Sequence, residues 1–511
     1  MSSLPDQTYA LLAGFTAFTF CLLAQSAVQV SGQSDRPMVD SRYPVVMDDW
    51  PVEVNSQHQL FIDDGIVARK IGVQRVVEPA RKHPSNPIVR PEHPWEDDMV
   101  LLYGSVLHDQ ISNKWRMWYL ARNFEDKNPL RTVVCYAESE DGVAWHKPNV
   151  GQVQYKGSRE NNIVLLNHGQ GLDTVIVHTD PDSPAGKLRF EMFVYQFQTE
   201  KLTEGIYHYT SPDGLKWTSS EHPILIGAPV WPKNADDQFR DDVMLDGIGD
   251  VTFLRFEQQY QRYFANLKTM TGPLRSRMQS ESKDLVHWTR PRVILRPDRL
   301  DDGTQLYGMT DFAYESLWLG VLQRYMATTD LRLDLTWAVS HDGRNWSRVE
   351  PRMPFLSGGI KGSWDFGNIS PANNPPIRVG DELWFYYGGR DTTHNTRPGI
   401  GAIGLATLPI DRFVALQATD KGEVLTRPLS GSLGTLHVNA NAEGGSLRVE
   451  VTDSEGTPIR GYDRQACHVL TADSLNHAVH WDEAAQLEPS SAPVRLRFIF
   501  SDAKLYSFWF E

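Results

Sequence analysis

From about residue 60 to residue 416 the chain is a succession of short apolar runs separated by polar turns, and no stretch holds a helical period. The runs group in sets. The first set covers 99–106, 115–120 and 132–137, and the second covers 174–178, 188–195 and 205–210. A third lies at 251–256, 262–266 and 276–280, and a fourth at 310–314, 317–322 and 333–339. A fifth set reads 375–379, 382–387, 400–406 and 412–415. These runs are predicted β-strands, with about 60–70 residues to each four-stranded unit.

Four of the sets end on the same turn: Ser139-Glu-Asp141-Gly142-Val-Ala-Trp145, Ser211-Pro-Asp213-Gly214-Leu-Lys-Trp217, Ser282-Lys-Asp284-Leu285-Val-His-Trp288 and Ser340-His-Asp342-Gly343-Arg-Asn-Trp346. The tryptophans are 72, 71 and 58 residues apart. Asp-Gly between extended runs is a strong hairpin signal, because Gly accepts positive φ and Asp bonds the turn backbone. The motif is therefore read as structural. Five antiparallel units arranged about an axis leave only short exposed edges, and the predicted fold is all-β: a five-bladed β-propeller over 58–416. After Leu416 alternating runs at 433–438, 446–451, 494–500 and 505–510 predict a C-terminal β-sandwich over 417–511.

Ahead of the repeats, the apolar run 10–24 has the length of a signal-peptide core, with Ala24-x-Ser26 as a cleavage site. The expectation is a signal peptide or N-terminal anchor over 1–32, a linker over 33–57, and export to the cell envelope or beyond. Membrane contact is expected only if that segment is retained. The net charge of −14 repels a phosphate backbone, which excludes nucleic acid as the partner. Three cysteines, Cys21, Cys135 and Cys467, are too few for a thiolate metal site. The 15 Trp, 18 Tyr and 21 Phe suit both β-sheet packing and sugar stacking.

The order of propeller then sandwich resembles glycoside hydrolase family 32, and the propeller alone resembles family 43 along with families 62, 68 and 130. Phe239-Arg240-Asp241-Asp242 is similar to the Phe-Arg-Asp-Pro of family 32, with Asp in the last place, and Trp95-Glu96-Asp97-Asp98 is a distant counterpart of its Trp-Met-Asn-Asp-Pro start. The family's Glu-Cys acid motif is missing. Leu60-Phe-Ile-Asp-Asp64 also resembles the opening strand of exported propeller proteins of planctomycete-type bacteria. The resemblance implies a carbohydrate substrate and a pair of carboxylates in the funnel. The Ser-Asp-Trp turns resemble sialidase Asp boxes too, although that fold has six blades.

In a propeller each inner strand starts near the central funnel, so one side chain per blade can converge there. Acids recur near those positions: Glu96, Asp97, Asp98, Asp173, Asp250, Asp311, Glu315 and Asp365. Cleaving a glycosidic bond takes one protonated and one ionised carboxyl group, and crowded acids supply the protonated one through mutual repulsion. Asp98 is read as base or nucleophile, since the resembled families place theirs at the head of the first blade. Glu315 is read as general acid, and Asp250, flanked by Gly247 and Gly249, as the group that orients it or stabilises charge. Asp173, Asp311 and Asp365 are read as binding sugar hydroxyls, with Trp364 stacking on the sugar face and Arg390 and His394 recognising an anionic sugar or uronate. No cofactor or metal ligand is called for, and a structural calcium would have only funnel aspartates and no loop motif to hold it. The expected activity is that of a secreted glycoside hydrolase. A non-catalytic carbohydrate-binding propeller, a sialidase-like enzyme and an envelope adhesion module are its rivals.

Overall fold

The computed structural model describes residues 50–122, 132–166, 172–179, 189–197, 203–226, 249–394, 396, 399–482, 486–487 and 492–511, without the side chains of Asp173 and Ile226. The apolar run 10–24 and the Phe239–Asp242 motif lie outside these residues. All regular structure among the described residues is β-strand.

Five antiparallel blades follow one another. Blade 1 pairs Val100–Asp109, Lys114–Arg122, Thr132–Ser139 and Ile163–Leu166 in that order. Blade 2 runs Leu172–Thr179, Phe190–Gln196 and Gly205–Ser211, with Thr218–Ser219 and Leu225–Ile226 on its outer edge. Blade 3 is Phe253–Glu257, Arg262–Thr271, Leu274–Ser282 and Arg292–Leu295, and blade 4 is Gln305–Tyr314, Leu317–Tyr325, Leu333–Ser340 and Trp346–Arg348. Blade 5 departs from the sequence reading at both edges. Its inner strand is Asn368–Pro371, ahead of the expected 375–379, of which only Ile377–Val379 is extended. Its outer strand is Arg81–Lys82, paired with Ala406 and Thr407 of Gly401–Pro409. The expected fourth strand, 412–415, instead opens a strand of the C-terminal sheet. Ring closure thus joins two ends of the propeller segment through backbone hydrogen bonds, which spares the last blade an open edge.

Each third strand of blades 1 to 4 ends on the serine of its turn motif. Ser139 Oγ accepts from the Gly142 amide at 2.9 Å and Asp141 Oδ1 from the amides of Val143 and Ala144, both at 2.8 Å, while Trp145 donates to the Gly142 carbonyl. The two aspartate bonds recur at Asp213, Asp284 and Asp342. The neighbouring blade then grips the turn: Tyr386 donates to the Gly142 carbonyl, Trp118 to that of Gly214 and Gln279 to that of Gly343. The motif is a clasp between blades.

Leu285 occupies the glycine position of the third turn at φ 63° and is buried against the blade 2–blade 3 core. Left-handed backbone costs a branched residue about 1–2 kcal/mol, against about 1.5–3 kcal/mol for burying its side chain. Packing wins. Leu285→Gly is expected to lower stability slightly, by about 0.5–1.5 kcal/mol; a rise in melting temperature would show that strain dominates.

Near the axis the inner strands are stitched by polar side chains. Ser105 donates to the Val175 or Asn373 carbonyl, Asn373 to that of Tyr103 and Thr310 to that of Ala372. Buried ion pairs fasten the seams: Arg189 with Asp109 between blades 1 and 2, and Arg255 with Asp311 between blades 3 and 4.

The C-terminal region forms an eight-stranded antiparallel sheet ordered Val67–Ile71, Val414–Thr426, Arg495–Phe510, Leu436–Asn441 and Asp473–Ala478, with Gln59–Leu60, Gln74–Val77 and Ser446–Thr452 attached. Three of its strands come from residues 59–77, within the segment 58–416 assigned from sequence to the propeller. Val52–Val54, in the expected linker, pairs in parallel with Leu429–Gly431. The two expected runs at 494–500 and 505–510 are one bent strand, turned at Asp502 with φ 44°. Its inner face packs Phe61, Phe498, Phe500 and Phe508 with Trp481 in one apolar core.

Candidate functional site

The first strand of each blade begins, the second ends and the third begins at one end of the ring. A cavity of about 530 Å³ opens there, with lining residues from all five blades. Tyr103 and Arg122 come from blade 1, Phe197 and Glu204 from blade 2, and Tyr307 from blade 4. Blade 3 supplies Asp250, Lys268 and Arg275, and blade 5 supplies Asn368, Arg390 and His394. Bare backbone at Gly388 and Gly389 completes the wall. A Cβ on Gly389 would fall 2.4 Å from the Trp364 ring, so only glycine fits between that ring and the cavity.

The blade 3 hairpin Arg262–Thr271/Leu274–Ser282 places Lys268 and Arg275 on one face, since Met270 pairs with Arg275 and Lys268 with Arg277. Lys268 lies 5.7 Å and Arg275 5.2 Å from the Tyr307 ring centre, and Arg275 is 5.7 Å from that of Tyr325. Arg277, fully buried beneath them, donates to the carbonyls of Tyr307, Val251 and Asn266 and fixes the cavity floor. Lys268 forms an ion pair with Asp250 Oδ1, and Thr174 donates to the Asp250 carbonyl at 2.5 Å. Glu204 Oε1 accepts from the Tyr195 hydroxyl at 2.6 Å. His394 sits edge-on to Tyr307 and Tyr325, with ring centres 5.0 and 4.7 Å away. Burial first, then the charges of Arg275, Arg390 and Lys268, push its pKa down to about 4, so the imidazole is neutral at neutral pH. Arg390 donates to Thr392 Oγ1 at 3.0 Å and to the Thr396 carbonyl at 2.9 Å.

Of the residues read from sequence, Asp250, Arg390 and His394 share this cavity. Asp98 is exposed just before the first inner strand and contributes its carbonyl to Gly401, not a carboxylate to the cavity wall. Glu315 corrects the expected general acid. It occupies the hairpin turn at the opposite end of the blade 4 inner strand, eight residues or about 26 Å from Tyr307. There its carboxylate accepts from the His58 amide. Asp311 is spent on Arg255 and on Asn266 at the seam. Asp365 is buried and accepts from Lys82 at 2.5 Å and from Tyr387 at 3.1 Å, so it anchors the ring closure. Trp364 stacks on Tyr387 at 5.6 Å, behind the glycine wall. Glu96 is buried and held by Tyr119 and Lys147. The side chain of Asp173 and residue Gly247 lie outside the described residues.

Three of the expected funnel acids are thus buried beside a cation instead, Asp311 with Arg255 at a seam, Glu96 with Lys147 and Asp365 with Lys82, because a buried carboxylate is stable only with a cation beside it. The sequence reading missed Lys268, Arg275, Tyr307 and Glu204. Its one available signal was the run Arg275-Ser-Arg277, cations at alternate positions of a middle strand whose counterpart in blade 4, Leu333–Ser340, is buried throughout.

Fold and cavity together define a five-bladed propeller with a polar, aromatic-lined funnel; the six blades of the sialidase-like reading are not what the described residues form. No family model matches the chain, and no curated protein matches it. Among solved structures it is similar to a glycoside hydrolase at 14% identity, covering 66% of this chain and 92% of that one with a TM-score of 0.45. It is similar to a β-1,2-mannobiose phosphorylase from Listeria innocua at 13% identity, covering 65% and 98% with a TM-score of 0.45. An N-acetylgalactosamine deacetylase from F. plautii, seen with a blood group B trisaccharide, matches at 14% identity, covering 67% and 97% with a TM-score of 0.42. Likeness at this level transfers no chemistry, and the functional reading rests on this chain's own cavity.

Proposed function

We propose that this chain is an exported carbohydrate-active propeller that binds a saccharide in the funnel and cleaves a glycosidic bond there. The observation that carries the reading is the cavity itself: about 530 Å³, enough for a few sugar units, lined by two carboxylates among the described residues together with Tyr103, Phe197 and Tyr307. Aromatic faces take the apolar side of a sugar, and carboxylates and amides take its hydroxyls. The sequence resemblance to glycoside hydrolase families 32 and 43 supports the same class.

Asp250, ion-paired with Lys268, is the ionised group. It would attack the anomeric carbon or take the proton of the water that does. Glu204, whose Oε1 accepts from Tyr195, is the second carboxyl group of the described lining and the one that would serve as general acid, passing a proton to the glycosidic oxygen as the C–O bond breaks. Export is proposed from the apolar run 10–24. The C-terminal sheet is read as a β-sandwich that braces the ring; none of the funnel's described lining residues comes from it.

The Lys268–Asp250 pair also favours a second reading, in which the funnel binds sugar without turnover because its carboxylate is neutralised. A panel of polysaccharides and aryl glycosides separates the two. The enzyme reading expects reducing ends or aryl alcohol released from at least one member; binding with no release supports the second reading; neither binding nor release contradicts both.

A further inference from the structure

We infer that a single water molecule is bound beneath the funnel floor, in a void beside Gly308, where it donates a hydrogen bond to Gln323 Oε1. The void measures about 10 Å³ and adjoins the funnel from below, since Tyr103 and Val251 line both. That is room for one water. The void arises in the inner strand of blade 4. Its pairing register shifts between Leu306 and Gly308, and the intervening Tyr307 lines the funnel. A bulge of this kind re-aims one side chain, and the glycine after it leaves the space below unfilled. A Cβ on Gly308 would fall 2.9 Å from Val251 Cγ1 and 3.1 Å from Gln323 Oε1, so the amide oxygen points at the bare face of the glycine.

Gln323 lies on the second strand of blade 4 at 0% exposure. Its Nε2 donates to the Ile369 carbonyl at 2.7 Å and lies 3.4 Å from the Tyr103 hydroxyl. So short a contact with a carbonyl needs an N–H, which fixes the amide and leaves Oε1 toward Gly308. No described residue donates to that oxygen. The neighbouring donors are committed elsewhere. Thr252 donates to the Gly249 carbonyl, Thr310 to that of Ala372, and Asn373 to those of Tyr103 and Val175. Buried amide oxygens are almost always hydrogen-bonded, because a bare one forfeits the bonds it makes to solvent in the unfolded chain. A guest must therefore bring the proton.

The wall selects that guest. No Asp, Glu, Lys, Arg or His is among the described lining residues, and Val251, Phe253 and Met309 make part of the wall apolar. An ion there would have no counter-charge. A water gives one proton to Gln323, and its second can go to the oxygen of Thr252 or Thr310, each of which keeps a lone pair.

The test is a crystal structure of the full-length protein at about 1.5 Å or better, repeated on crystals soaked in rubidium chloride and on Gln323→Met. The expected result is one density peak within hydrogen-bond distance of Gln323 Oε1, with no anomalous signal after the soak. In Gln323→Met, which keeps the length of the side chain and removes the acceptor, the peak should be lost. A void without density, in a map that shows other internal waters, overturns the inference. An anomalous peak there also overturns it, since the guest would be a cation. A peak that persists unchanged in Gln323→Met overturns the role given to Gln323. If that variant does not fold, the wild-type map and the soak still decide whether the guest is water. None of these measurements involves a saccharide, so their failure leaves the funnel reading where it stood.

Discussion

Asp250→Asn is expected to lower glycoside turnover by about 10²–10⁴-fold while substrate affinity changes by less than about tenfold. The substitution keeps the shape of the side chain and an oxygen for Lys268, but removes the charge needed to attack or to accept a proton. Some stability is lost as well, since Lys268 is 5% exposed and would keep its charge with a weaker partner. A melting curve alongside the kinetics separates this from the chemical effect. Glu204→Gln should show a similar loss of turnover, and one that shrinks for substrates with good leaving groups, which need no proton. Lys268→Met removes the neighbouring positive charge, so the acidic limb of the rate–pH profile should move to higher pH. Full turnover in both Asp250→Asn and Glu204→Gln would remove these two residues from the reaction.

The second large effect lies away from the funnel, where blade 5 passes into the C-terminal sheet. Asp411 is buried at 1% exposure and accepts from His58 Nδ1 at 2.6 Å, Tyr314 at 2.8 Å and Ser507 at 2.6 Å. Its partners come from the N-terminal segment, blade 4 and the C-terminal strand, and His58 also stacks on Trp509 at 3.9 Å. Asp411→Ala would leave two buried hydroxyls and a partly buried imidazole without their acceptor, and is expected to cost about 3–5 kcal/mol.

The same cluster should be sensitive to pH. Burial works against a charged imidazole at His58, but the hydrogen bond and charge of Asp411 and the charge of Glu315 outweigh it and raise its pKa above the ordinary 6.5. Burial likewise works against charge on Asp411, and His58, Ser507 and Tyr314 outweigh it and hold the carboxyl below the ordinary 3.8. The histidine's contribution is complete below about pH 6.5 and is lost as pH rises through its folded value. The aspartate's contribution is complete above about pH 3.8 and is lost as pH falls through its folded value. The junction is therefore strongest between those limits. The melting-temperature difference between wild type and His58→Gln should be larger at pH 6 than at pH 8.5; an equal or reversed difference would contradict the assignment.

Much of the ring could be read in the chain because each blade is local. Its strands are joined by short turns, and Ser139, Ser211, Ser282 and Ser340 mark where four third strands end. The closing strand Arg81–Lys82 was hidden, being two residues long and paired with a partner more than three hundred residues away. Long-range pairing also concealed that residues 59–77 join the C-terminal sheet. The site was harder to read, for a physical reason. An acid near an inner strand has the same sequence signature whether it faces the funnel, as Asp250 does, or is buried against a cation elsewhere, as Asp311 and Asp365 are. Only the position of the cations separates the two, and Arg255 and Lys82 lie 56 and 283 residues from their partners. Glu315 shows the complementary error: a strand has two ends, and hydrophobic alternation does not say which one opens on the cavity.

The central claim is that sugar binds where the five inner strands begin. A crystal structure of Asp250→Asn soaked with an oligosaccharide of the tightest-binding member of the panel tests it directly. The account predicts a sugar ring in the funnel, within contact of Tyr307 and His394 and with its reacting bond beside residue 250. Sugar bound to the C-terminal sheet or to the turn-bearing end of the ring, with the funnel holding only solvent, would contradict it.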